Sequence, residues 1–121
     1  MAATLPMYQG EDWTQTLSFF TDASLATPYE FTNPVMDVRS QAGARIATFD
    51  DLGKEGLAVI TAPGVLKLTM SWDNTAQLPP ATYQLDIFGD VGEERKAILK
   101  RGTIQLTVTA RITHDDNPVG L

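Results

Sequence analysis

Leu78-Pro79-Pro80-Ala81-Thr82-Tyr83-Gln84-Leu85-Asp86-Ile87 is a proline turn that feeds directly into an alternating strand. Proline presets the turn and cannot continue inside a sheet, so the strand starts after Pro80. Tyr83, Leu85 and Ile87 then fall on one face. Further on, Gly102-Thr103-Ile104-Gln105-Leu106-Thr107-Val108-Thr109 is the cleanest alternation in the chain. It puts Ile104, Leu106 and Val108 inward and Thr103, Gln105, Thr107 and Thr109 outward. These two stretches read as the last two strands of an antiparallel β-structure.

Working outward, Leu5 to Tyr8 reads as a short edge strand, where Pro6 is tolerated. Trp13 to Phe19 alternates strictly, with Trp13, Leu17 and Phe19 on one face. Residues 21–33 read as a loop from which Phe31 plugs the core. Val35 to Gln41 and Arg45 to Phe49 form a pair about Ala42-Gly43, with Met36 and Val38 inward. Leu57 to Thr61 and Val65 to Met70 form another about Ala62-Pro63-Gly64, with Leu66, Leu68 and Met70 inward. Ser71 to Gln77 carries the Ser, Asp and Asn that favour a helix start, and predicts a helical turn. Asp90 to Arg95 reads as a hairpin tip. The last strand runs from about Lys96 to Thr109 with a bulge or bend at Gly102.

The expectation is an all-β fold: an antiparallel two-sheet immunoglobulin-like β-sandwich of seven or eight strands, with at most one short helical turn. Tyr83 takes the place of a tyrosine corner. A small β-barrel is the competing architecture. One domain spans 1–113, and 114–121 forms a flexible tail.

Composition narrows function by exclusion. Fifteen acids against nine bases give a formal charge of −6, the wrong sign for a nucleic-acid surface. An acidic balance is also a plain solubility device. The absence of cysteine suits assembly in a reducing compartment, with stability coming from packing alone. The N-terminal residues lack the basic and apolar regions of a secretory signal, and no apolar run is long enough to span a membrane.

Chemistry-bearing residues are sparse. His114 is the single histidine and sits in the tail, where neither a nucleophilic triad nor a zinc site can be held. Asp50, Asp51 and Glu55 share one loop and Asp115 and Asp116 share the tail, without the spacing of a calcium loop. No catalytic, cofactor or metal residues are assigned. Candidate interaction residues are the outward row Thr103, Gln105, Thr107 and Thr109, then Trp72 in its polar turn, and Arg95 and Lys96 in a basic ribbon completed by Lys100 and Arg101. Asp86, Asp90, Glu93 and Glu94 crowd that ribbon. It reads as a salt-bridged exposed hairpin or as an electrostatic docking strip for an acidic partner. Trp72 with Tyr8 and Tyr29 reads either as a cover over one end of the fold or as a sugar-stacking platform. The final strand is also long for its class, which suggests that one end reaches past its own sheet.

Five phrases carry a resemblance: Gly10-Glu11-Asp12-Trp13, Pro34-Val35-Met36-Asp37-Val38-Arg39, Asn74-Thr75-Ala76-Gln77-Leu78-Pro79, Thr82-Tyr83-Gln84-Leu85-Asp86, and Gly102 through Thr113. In this order they resemble small β-sandwich structural proteins of tailed bacteriophage virions, in particular the amino-terminal domain of phage upper-baseplate and tail proteins. The resemblance spans roughly residues 8 to 113. It implies a non-catalytic component of tail, baseplate or fibre attachment, with other virion proteins as partners and a symmetric homo-oligomer in the assembly. It also implies residence in the virion, and in the host cytoplasm before assembly. A capsid decoration protein and a carbohydrate-binding module recognising surface glycans are the alternatives. No cofactor, nucleic acid or membrane is expected.

Overall fold

The computed structural model describes residues 3–21 and 27–110, with only the backbone of Lys100 and Gly102. Eight strands and one helical turn follow in order: β1 (Ala3–Tyr8), β2 (Trp13–Ser18), β3 (Thr32–Arg39), β4 (Arg45–Asp50), β5 (Gly56–Ala62), β6 (Val65–Met70), α1 (Trp72–Thr75), β7 (Ala81–Val91) and β8 (Glu94–Thr109). The fold is all-β, as the alternation requires, and the helical turn falls within Ser71 to Gln77.

All eight strands belong to one sheet, in the order β1-β8-β7-β3-β4-β5-β6-β2. It is not purely antiparallel. β1 lies parallel to β8, from Ala3 opposite Ile104 to Tyr8 opposite Thr109. β4 and β5 touch in parallel through just two pairs, Phe49 with Gly56 and Asp50 with Leu57. Alternation tells which face a residue occupies and nothing about the direction of the neighbouring strand, so these parallel pairs had no sequence signal.

The sheet curls until its ends approach. β1 and β2 are the two edges, and the Trp13 indole N–H on β2 donates to the Pro6 carbonyl on β1 at 2.7 Å. The result is a nearly closed, barrel-like sheet around one apolar interior. Met7, Met36, Val38, Phe49, Leu66, Leu68, Leu85, Ile87 and Leu106 are fully buried there. Each such side chain contributes roughly 1.5–3 kcal/mol. Trp13 meets Phe49 edge to face at 5.7 Å, and Phe31 plugs the other end against Phe19 at 5.4 Å. The close β4–β5 approach depends on Gly56, since a Cβ there would drive into the Phe49 ring.

Tyr83 forms its corner: the phenol donates to the Pro79 carbonyl. Desolvation holds its pKa above the ordinary tyrosine value. The β7–β8 hairpin closes through a shorter tip than expected, with Val91 opposite Glu94 across Gly92 and Glu93. Gly92 adopts φ 64°, the left-handed conformation a two-residue turn demands.

Candidate interaction surface

Strand β8 carries most of the sequence-predicted residues, and its two halves differ. From Ile104 to Thr109 it lies between β1 and β7. Its outward row is therefore a face with covered backbone on both sides, not a sheet edge. Thr103 and Thr109 are exposed, while Gln105 and Thr107 are half-buried, and Thr107 bonds the Thr82 hydroxyl at 3.1 Å. From Glu94 to Leu99, β7 is the one strand paired with β8 among the described residues. Register slips between Ile87 and Phe88 and again between Leu85 and Ile87, where β8 advances from Leu99 to Ile104 while β7 moves only two residues. This is the bulge expected around Gly102.

Arg95 and Lys96 stand on the open half. Arg95 bonds Asp90 at 3.1 Å and the Asn33 carbonyl at 2.9 Å. Asn33 in turn donates to Asp90 at 2.8 Å. With Asn33 first and Arg95 second as causes, the Asp90 carboxyl is held below its ordinary pKa. Lys96 reaches Glu94 at 3.3 Å. The ribbon is thus salt-bridged, but Asp86 has no part in it. Asp86 is buried in mid-strand and accepts from Arg39 at 3.2 Å, and Arg39 also bonds Asp37 at 3.0 Å. Thr48 donates to the other Asp37 oxygen at 2.8 Å. This polar cluster across β7, β3 and β4 escaped sequence reading because its members are far apart in the chain. The facing of Asp37 and Asp86 across the β3–β7 pair was the signal that register would have supplied.

Trp72 is 59% exposed, so it does not cover the end of the fold. Its N–H donates to Asp12 at 2.9 Å, and Tyr8, also exposed, is at the same end. Tyr29 is elsewhere. Its N–H bonds Phe19, which bonds Gly64, at the far end of β2 and β6 from Trp13 and Met70. Six residues of strand separate the two ends by roughly 17–20 Å. The three-aromatic platform is therefore not assembled.

What holds the Trp72 end together is Thr75, which no sequence signal flagged. Its fully buried hydroxyl accepts from the Gly10 N–H at 3.0 Å and lies 2.9 Å from the Glu11 carbonyl. Gln9 adds a bond to the Leu78 carbonyl at 2.7 Å. The loop carboxylates are likewise structural. Asp50 accepts from Leu52 and Gly53, and Glu55 accepts from the Thr48 N–H and pairs with Arg45. Among the described residues, no three His, Asp or Glu groups come together as a metal site, and no helix is long and apolar enough to cross a membrane. His114, Asp115, Asp116 and the tail lie outside the described residues. The cleft beside α1, lined by Ile46, Met70 and Leu78, has a volume of about 130 Å³, well under the roughly 300 Å³ of an ordinary small-ligand pocket.

No family model matches the chain, and no curated protein does. Among solved structures, the ZIG-8–RIG-5 IG1–IG1 heterodimer in its monoclinic form is similar to it with a TM-score of 0.42 and 9% identity, over 90% of this chain and 83% of that one. The surface described above stands on this chain's own geometry.

Proposed function

We propose that the protein is a non-catalytic structural component of a tailed-phage virion, an adaptor in the tail, baseplate or fibre-attachment region. The observation that carries this reading is the half-open β8: a sixteen-residue strand whose first half leaves one side of its backbone without a strand among the described residues. Open edges are templates for pairing with another chain. The loop carboxylates support the reading as well, since Asp50 and Glu55 spend their oxygens on loop and strand N–H groups. The phage-like phrases supply the setting.

We further read the curled sheet as two immunoglobulin-like layers, β1-β8-β7-β3-β4 over β5-β6-β2. The two-residue β4–β5 joint and the Tyr83 corner favour this division. Partners are then other virion proteins, with copies of the chain arranged by the particle's symmetry. Immunogold labelling of particles made by the genome that encodes the chain tests the proposal. Label on the tail or baseplate is expected; label on the capsid would make it a decoration protein, and purified virions without label would sink both.

A second reading, glycan binding, is favoured by one observation, the exposure of Trp72 and of Tyr8. Oligosaccharides that quench tryptophan emission in the wild type but not in Trp72→Ala would support it.

A further inference from the structure

We propose, resting on the reading that copies of the chain stand together in a symmetric assembly, that one copy packs on another through the outer face of β5 and β6, about a two-fold axis. Ala58 on β5 and Leu66 and Leu68 on β6 are buried, so Leu57, Val59, Lys67 and Thr69 point outward. Lys67 lies opposite Val59 in the ladder, and Thr69 opposite Leu57. Leu57 is 37% exposed and Val59 40%, and together they make an apolar stripe along β5. Leu52, 73% exposed, belongs to the loop whose Gly53 lies against Leu57. Exposed apolar side chains grouped in this way mark contact surfaces.

The charges on its two flanks identify the occupant. Val59 borders two hollows. One, of about 250 Å³, it shares with Lys67 and Thr69 on the β6 side. The other, of about 240 Å³, it shares with Asp51 and with Thr32 to Pro34 of β3, on the side away from β6. Lys67 and Asp51 are both exposed, and neither side chain makes an ion pair or hydrogen bond among the described residues. The stripe therefore has an unspent cation on one flank and an unspent anion on the other.

A second copy, turned by half a revolution about a line along β5, lays Val59 on Val59 and Leu57 on Leu57. The same turn carries its Lys67 over Asp51 and its Asp51 over Lys67, so each charge is met, as an isologous contact requires. The outward positions of β2, Thr14, Thr16 and Ser18, bring no charge of their own. A turn about a line across the strands would oppose Lys67 to Lys67, and like charges across an interface are costly. Any other partner has to bring an acid and a base at the mirrored spacing; a copy carries them by construction. Three neighbouring strands of this length cover roughly 14 by 20 Å, short of the about 800 Å² per partner of a standard interface. Pairing through this face is therefore reversible and depends on concentration.

The experiment is sedimentation equilibrium of the full chain, carried up to millimolar concentration. Wild type is expected to pass from monomer to dimer as concentration rises, and salt should weaken the dimer. Lys67→Asp sets two acids against each other across the axis, and Asp51→Lys sets two bases. Each reversal alone should weaken pairing about tenfold or more. Mixing the two reversed chains restores both ion pairs, so a one-to-one dimer should form from chains that are monomeric apart. Both positions are exposed, so circular dichroism should stay wild-type. If a reversal unfolds the chain, Lys67→Gln and Asp51→Asn take its place, and each should move dimer formation to higher concentration. A chain that stays monomeric throughout, a dimer that ignores these substitutions, or folded reversed chains that fail to pair when mixed would overturn the proposal. Virions that label for a chain found monomeric would remove this inference alone; unlabelled virions with a dimer that responds to the reversals would remove the virion setting alone.

Discussion

From Ile104 to Thr109, β8 is gripped by β1 and β7 and drives Leu106 and Val108 into the interior. From Glu94 to Ala97 the same strand has one neighbour among the described residues and four exposed side chains. On the adaptor reading, the difference divides one strand between holding the domain together and meeting a partner. Covered backbone with alternating burial gives stability, while open backbone with flexible charges gives a surface that can change partners.

The largest test of that division is a pair of truncations. Leu106→Ala empties a fully buried site and should cost about 2–5 kcal/mol in urea unfolding. Lys96→Ala, which loses only an exposed ion pair, should stay within about 0.5 kcal/mol. Comparable losses from both would mean that the open half carries as much of the fold as the covered half.

Thr75→Val comes next. It keeps the side chain's volume but leaves the Gly10 N–H without its acceptor, in the loop that carries the chain away from β1. A loss of about 1–3 kcal/mol is expected by thermal denaturation. A change near zero would mean that the loop closing the covered half is held by other contacts.

How much of this was legible beforehand differs along the same line. Tyr83, Leu85, Leu106 and Val108 alternate cleanly because one side of each strand faces the interior, and burial is what alternation encodes. Phe31 was legible as an apolar aromatic in a polar stretch. The parallel seat of β1 beside β8 was not, because pairing direction leaves no mark on a hydrophobic pattern. Nor was the Arg39 cluster. Asp86 is close in sequence to the basic ribbon, but register gives it to Arg39 on β3. Trp72 and the β8 ribbon were singled out as candidates, yet the feature that distinguishes the ribbon, a side left unpaired among the described residues, depends on where β1 ends.

Tyr83→Phe probes the covered half through its corner. Removing the hydroxyl deletes one bond to Pro79 and should cost about 1 kcal/mol at neutral pH. The phenol titrates above its ordinary value when folded, so the unfolded chain ionises first as pH rises. Wild type therefore keeps this contribution below the ordinary tyrosine pKa and loses it as pH climbs through the folded value. The gap between wild type and variant should narrow in alkali; a gap that widens there would contradict a desolvated, neutral phenol.

The smallest effect belongs to the open half. Asp90 anchors the hairpin by accepting from Asn33 and Arg95, and these bonds hold its carboxyl below the ordinary value. A carboxyl that is more acidic when folded stabilises above its unfolded pKa, and that stabilisation fades as pH falls through the folded one. Asp90→Asn has nothing to titrate, so its deficit at neutral pH should shrink in acid. Because the site is partly exposed, the effect should be small and further reduced by salt. If Asp90→Asn instead destabilised the protein as much as Leu106→Ala, the hairpin would be a structural keystone, and an edge that must stay free to accept a strand could not be built on it.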